Sequence, residues 1–280
     1  MTRVAVIGHV EWITHGRTRE PLVAGNIHHL GEGFEEPGGG GGVSARALPS
    51  LGARTRFFTA LGSDEAGERS GRLIAACGVE VLAGMRPGPQ NRVLTVSEPG
   101  GERTIFVLGP NVHPRIDDPL PWDELAGEDA VFYTGDDPRT LQAARAARVL
   151  VVTARRLESL IASGVSADVL IGSAVDPSER IDVAALPVRP RVIAQTDGAA
   201  GGSYATADGR TGRWKAAPLP GPVVDAYGAG DVMMAALTLA LGRGDALDDA
   251  LAFAATAAAG QLTRPGGTPP GQEARPVSRR

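Results

Sequence analysis

The sequence predicts an α/β protein: a mostly parallel, doubly wound sheet flanked by helices. Three observations carry that prediction. The chain opens on Arg3–Gly8, an unbroken apolar run closing on glycine, the pattern of a strand buried on both faces. From Ala130 onward, apolar runs of strand length alternate with helical patterns, as repeated βα units require. Near the C-terminal end, Val223-Val224-Asp225 leads through Gly228-Ala229-Gly230 and Asp231 into an apolar run that can only be a helix. Two glycines around an alanine let successive N–H groups point one way, a nest for an anion at a helix start.

Composition sets the class. The 280 residues are 42% hydrophobic and 21% charged, ordinary values for a globular protein long enough to bury a core. A net charge of −4 argues against a nucleic-acid binder, which carries a basic stripe. The single cysteine, Cys77, cannot form an internal disulfide and lies in a helical pattern as a packed residue. No apolar run approaches a membrane span, and Met1–Val10 lacks a signal-peptide core. The expectation is a cytoplasmic protein without membrane partners. Lys215 is the only lysine, so no G-K-[ST] occurs and a Walker A loop is excluded.

Taken in order, His9–Glu36 has no clean period and is too long for a simple connection, so it reads as an irregular flap or added strands over a site. Glu11 stands just past the first strand, where open α/β sheets bind ligands; it is either a ligand group or a solvated surface residue. Pro37 and Gly38–Gly42 run into a helix that ends near Leu51-Gly52. They read either as a flexible linker or as backbone that a ligand approaches closely. Arg54–Ala60 is a strand and Glu65–Cys77 an amphipathic helix with Asp64 as its N-cap. Arg92–Ser97 and Arg103–Leu108 alternate like a hairpin. Arg92 and Arg103 either turn toward a site or lie on a solvated face.

Strands at Ala130–Thr134, Val149–Thr153, Asp168–Ile171 and Arg191–Thr196 alternate with helices starting at Pro138 and Arg155. Gly202–Thr206 and Arg213–Trp214 form a hairpin. Alanine-rich helices follow at Val232–Leu241 and Ala246–Leu262, the second with Asp245 as its N-cap. The tail, 269–280, is polar and expected to be disordered.

Asp225-Ala226-Tyr227-Gly228-Ala229-Gly230-Asp231 resembles the D-T-x-G-A-G-D signature of the ribokinase-like (PfkB) carbohydrate kinases, departing at Ala226, where Thr is usual. The resemblance extends from the first strand to Gly267. It implies one ribokinase-like domain over 1–268, with a small β-lid drawn from 10–36 and 88–110. It implies that Asp231 is the general base and that the Gly228, Ala229, Gly230 backbone stabilises the transferring phosphoryl group. Taken alone, Asp231 is equally an N-cap. Pro37–Gly52 resembles the substrate segment P-G-G-x-x-x-N-x-A…L-G, with Val43 at the Asn position, so Gly39, Gly40, Val43, Glu11, Asp225 and Asp231 are the substrate residues the resemblance implies.

Gly172–Glu179 resembles N-x-x-E, with Ser173 for Asn and Asp176 for Glu. Asp176, with Glu179 as second choice, is implied for Mg²⁺, which needs only one or two carboxylates besides phosphates and water; Asp176-Pro177 is equally a helix cap. Thr196, Gly198 and Gly201 resemble the T-x-G-x-x-G that lines nucleotide phosphates, with Ser173, Gly228 and Gly230 beside them and Ala254 and Ala258 near the adenine. The implied cofactors are ATP and Mg²⁺, with K⁺ beside the nest in many members. The implied substrate is a sugar-like alcohol, and family lids often pair two subunits.

Two other readings remain open on the sequence. One is a non-catalytic sugar or nucleotide sensor, suggested by Val43 and Ser173. The other is a nicotinamide-dependent oxidoreductase, suggested by the G-x-G-x-x-A at Gly40, Gly42 and Ala45, although no strand in a βαβ unit and no following acidic residue give it context.

Overall fold

Strand β1 (Arg3–Gly8) forms where the apolar run predicts it, buried from Val4 to Gly8. The computed structural model describes residues 1–99 and 103–270. β1 lies between β4 (Arg54–Gly62) and β8 (Ala130–Thr134), parallel to both. The sheet extends beyond β4 to β5 (Val79–Arg86). Beyond β8 it continues through β9 (Val149–Thr153), β10 (Val169–Ser173) and β11 (Val192–Thr196), all parallel. The antiparallel pair β12 (Gly202–Thr206) and β13 (Thr211–Trp214) closes that edge. The order is β13-β12-β11-β10-β9-β8-β1-β4-β5. Chain direction across the sheet therefore reverses at β1, and the site of such a fold lies beyond the carboxyl ends of the strands at that point.

Helices cover both faces, as a parallel sheet requires. Neighbouring residues on a strand point to opposite faces, so Phe132 enters one core and Tyr133 the other. The first core packs Val4, Val6 and Phe57 against α1 (Gly39–Ala47), α2 (Glu65–Ala75), α5 (Ala229–Arg243) and α6 (Leu247–Gln261). The second packs Ile7, Phe58 and Leu150 against α3 (Pro138–Ala144) and α4 (Leu157–Ser163). Asp64 caps α2 by accepting from Gly67 N–H at 3.0 Å, as expected. Cys77 follows α2, its thiol donating to the Leu73 carbonyl at 3.3 Å.

A second sheet, ordered β3-β2-β6-β7, rises over the strand ends. Its strands are β2 (Glu11–Arg17), β3 (Gly31–Gly38), β6 (Arg92–Ser97) and β7 (Arg103–Leu108). Its hub is Glu36, buried at the junction of lid and core. Oε1 accepts from His15 Nε2 at 3.0 Å and from Gly267 N–H at 2.6 Å, while Oε2 accepts both terminal nitrogens of Arg46 at 3.0 Å. Burial raises the Glu36 carboxyl, but the His15 bond, the Arg46 charge and the Gly267 N–H outweigh it and hold the group below the usual carboxylate range.

The structure departs from the expected elements in four places. Gly39–Gly42 are not a lead-in but the first turn of α1, entered directly from β3. Glycine is disfavoured in helix interiors by about 1 kcal/mol each, so packing holds this helix. A Cβ on Gly41 would lie 2.7 Å from the His9 carbonyl oxygen, and Ser44 donates to the Asp231 carbonyl at 3.1 Å. The segment from Arg155 begins as a 3₁₀ turn, Ala154–Arg156, before α4. Asp245 does not cap α6, whose N-cap is Ala246; its carboxylate accepts from Arg243 instead. Thr268 and Pro269 are buried, and from residue 271 the expected tail lies outside the described residues. No helix among the described residues is long and apolar enough to cross a membrane.

Candidate active site

Two helices begin at the reversal point, and Asp231 lies between their starts. Gly228 caps α5 in the left-handed region (φ 76°), and a Cβ there would press on Val43 at 3.0 Å. The first intrahelical bond runs from Val232 N–H to the Gly228 carbonyl at 2.9 Å, so helix geometry leaves the N–H groups of Ala229, Gly230 and Asp231 without intrahelical acceptors. Gly230 is exposed, and a Cβ on it would meet nothing within 4 Å. Packing does not require glycine there; the first turn simply opens onto free space. The macrodipole adds roughly half a positive charge at such an end.

From the other side, the N-terminus of α1 comes up against the same carboxylate. A Cβ on Gly40 would stand 3.3 Å from Asp231 Oδ1 and 3.1 Å from Thr134 Oγ1. Tyr227 ties the two helix starts together, its hydroxyl accepting from Gly39 N–H at 3.0 Å. Burial pushes the Asp231 carboxyl up to about 6. Arg155 and His9 pull it down, while Glu179 and Glu11 push it further up. A recessed carboxylate titrating there is suited to proton transfer near neutrality.

Other expected residues fall into three groups. Glu11 joins the site: its carboxylate is 3.5 Å from His9 Nε2, accepts from Asn91 Nδ2 at 3.3 Å, and packs beside Gly39. Glu179 is buried, accepting from Ser173 N–H at 2.8 Å and pairing with Arg155 at 2.7 Å. Ser173 turns inward on its own loop, Oγ accepting from Val175 and Asp176 N–H at 3.2 Å. Thr196 donates to the Gly172 carbonyl at 3.4 Å. Gly198 (φ 50°) and Gly201 (φ 88°) shape the turn after β11; on Gly201 a Cβ would lie 2.1 Å from the Trp214 carbonyl oxygen.

Asp176 sits at the margin. It caps the turn Pro177–Glu179 by accepting from Ser178 N–H at 2.9 Å, and pairs with Arg155 at 2.7 Å. The Ser178 hydroxyl, which donates to it at 2.7 Å, then the Ser178 N–H and Arg155 hold its carboxyl below the usual range.

Three expected residues stand elsewhere. Val43 is wholly buried among Ile13, Tyr227 and Val232, so it supports the turn from beneath and offers nothing to a substrate. Ala254 has no exposed surface, its methyl spent in the core; Ala258, one turn on, is only partly buried. Asp225 is engaged in a tie rather than gathered with Asp231. It accepts from Tyr227 N–H at 2.9 Å and Gly266 N–H at 3.0 Å, with Arg103 at 3.8 Å. Gly40 and Gly42 lie in a helix entered from a lid strand, so they form no dinucleotide turn.

Sequence reading missed Tyr227, His9, Thr134, Arg155, Asn91 and His113. Their signal is position: His9, Thr134 and Arg155 stand at or just past the carboxyl ends of β1, β8 and β9, where such folds bind ligands. Arg155 is the largest charge acting on Asp231 and also reaches Asp176 and Glu179. Among the described residues, no group of three or more His, Cys, Asp or Glu side chains is gathered as a metal site.

The fold has close counterparts. A putative ribokinase from Agrobacterium tumefaciens superposes with a TM-score of 0.78 at 21% identity, over 95% of this chain and 92% of that one. The adenosine kinase of Sinorhizobium meliloti gives 0.77 at 19%, over 96% of both chains. Arabidopsis thaliana ribokinase, complexed with ribose and ATP, gives 0.73 at 19%, over 96% of both. No curated protein matches by sequence. The sequence profile of the pfkB family carbohydrate kinases matches residues 1–275. The chain belongs to the pfkB family of carbohydrate kinases.

Proposed function

We propose that this carbohydrate kinase transfers the γ-phosphoryl group of ATP to a hydroxyl of a sugar-like small molecule, with Asp231 as general base. The observation that carries the reading is the Asp231 carboxylate, raised to about 6 and set between the starts of α1 and α5. The substrate oxygen attacks the γ-phosphorus, its proton passes to Asp231, and the bond to the bridging oxygen breaks to release ADP. Phosphoryl transfer is chiefly positioning and charge stabilisation. The N–H groups of Ala229, Gly230 and Asp231 supply donors where charge accumulates. Arg155, paired with Asp176 and Glu179 at 2.7 Å, adds a positive charge for the phosphates.

The donor set fits Mg²⁺ through Glu179, a buried carboxylate acting electrostatically on Asp231, with Asp176 in an outer position. When bound, the ion neutralises charge on the phosphates. The turn of Thr196, Gly198 and Gly201, with Ser173 beside it, takes the nucleotide, with Ala258 near the base.

The lid supports pairing of two copies. Strand β7 is an edge whose Ile105, Phe106, Val107 and Leu108 are all exposed, an apolar edge that soluble proteins ordinarily cover. The expected setting is the cytoplasm.

The test is ADP release from MgATP over a panel of sugars, sugar phosphates and nucleosides, with and without K⁺, and with Asp231→Asn alongside. Release that depends on one acceptor class and vanishes in the variant supports the reading. Release that is acceptor-independent, or unchanged in the variant, contradicts it.

A further inference from the structure

On the side of α3 and α4 the helical layer stops before the sheet does. Between β10 and β11 the chain makes two 3₁₀ turns, Pro177–Glu179 and Val183–Ala185, where a parallel crossover ordinarily carries an α-helix. The strands β12 and β13 then pair as a hairpin with no helix between them. Alternation along the strands decides what this open face shows. Ala194, Tyr204 and Trp214 turn into the core that packs on α6, so Ile193, Gln195, Ser203, Ala205 and Arg213 turn the other way.

That face forms a cleft of about 480 Å³, within the range of small-molecule sites. Gln195, Ser203 and Arg213 are register partners and cross it in one row. Ile193 and Ala205 make an apolar row beside it, flanked by Val183 and Pro190. Arg189, just before β11, lines the cleft on the far side of that floor.

The polar groups of the cleft are uncommitted. Among the described residues, the side chains of Arg189 and Arg213 make no ion pair, and those of Gln195 and Ser203 no hydrogen bond. The arginines just outside behave differently: Arg191 pairs with Asp168 at 3.3 Å and Arg210 with Asp248 at 3.8 Å. No carboxylate lines the cleft, although the chain carries a net charge of −4. A concavity lined by one sign of charge concentrates the opposite ion. A second copy of the chain does not suit it, because a two-fold pairing sets a patch against itself, and this patch holds cations without carboxylates to answer them.

The cleft includes neither Asp231 nor Arg155, nor any residue of the turn 197–201. We propose that it is a second small-molecule site, separate from the active site, which takes an organic anion: a phosphate or carboxylate group carried on a flat apolar body. The anion meets the free guanidinium groups with Ser203 and Gln195 as further donors, and the apolar body lies on Ile193 and Ala205.

Equilibrium dialysis of the full chain tests this with naphthyl phosphate and naphthoate as probes, against naphthol and inorganic phosphate, with and without ADP. The expected result is saturable binding of at least one naphthyl anion, tighter by about tenfold or more than naphthol or phosphate alone and not displaced by ADP. Arg189→Gln combined with Arg213→Gln should weaken that probe by about tenfold or more, while Arg191→Gln leaves it unchanged. Comparing anion with naphthol on the unmodified protein requires no variant to fold. The proposal is overturned by absence of saturable binding at millimolar probe, by equal binding of naphthol, by displacement with ADP, or by an equal loss in Arg191→Gln. A dimer that Ala205→Glu dissolves would assign the face to a second copy and overturn it as well.

Discussion

Replacing Asp231 by Asn removes a charge and changes almost no volume, and the structure assigns the change opposite effects on stability and on rate. The folded carboxyl is raised from 3.8 to about 6, so the folded chain binds this proton more tightly than the unfolded chain does. The stability linked to it is complete below about pH 3.8 and is lost as pH rises through the folded value near 6. Two pH units correspond to about 3 kcal/mol, and solvent access to a half-buried carboxylate reduces that to about 1–2 kcal/mol. Asn cannot ionise, so the variant should be more stable than the parent at pH 7.5 by that amount. The gap should close as the buffer approaches pH 4. Turnover should fall by about 10²–10⁴-fold, the range for loss of a general base. Urea unfolding at several pH values and ADP release on the same preparations measure both. A variant that is destabilised at pH 7.5, or that turns over at near-parental rate, refutes the reasoning.

Four other outcomes follow from the geometry. The rate of the parent enzyme should fall about tenfold per pH unit below pH 6, because Asp231 must be ionised to accept a proton; a flat profile from pH 5 to 8 would remove it from the base role. Gly230→Ala should leave stability intact, since its Cβ meets nothing within 4 Å, yet lower the rate by crowding the anion position. Gly41→Ala should do the reverse, destabilising by about 1–3 kcal/mol through overpacking against the His9 carbonyl, as a melting curve would read. Glu36→Gln should cost about 3–5 kcal/mol by leaving Arg46 buried without its anion, as urea unfolding would read.

The strands of the large sheet were legible because both their faces are buried, which forces apolar runs with clear ends. Arg3–Gly8, Ala130–Thr134 and Val149–Thr153 fall where the pattern placed them. The glycine-rich first turn of α1 was not, because it is held by contacts with β1 and α5 rather than by local preference. The motif pointed to Asp231 and the turn before it because it runs through consecutive residues, which the structure sets at the start of α5. It misplaced Val43 and Ala254, whose roles depend on burial that spacing does not report. It passed over His9, Asn91 and His113 because they meet only through the topology, arriving from the end of β1, the start of β6 and the loop after β7.

The central claim is that the Asp231 carboxylate takes the proton of an acceptor hydroxyl as the γ-phosphoryl group leaves ATP. A single-turnover experiment with γ-labelled ATP, the acceptor found in the panel and rapid acid quench follows the label directly. The account predicts that label moves from ATP to the acceptor oxygen in the parent enzyme, and that Asp231→Asn still binds ATP but leaves the label there. Label appearing as inorganic phosphate without an acceptor product, or reaching the acceptor at the parental rate in Asp231→Asn, would contradict it.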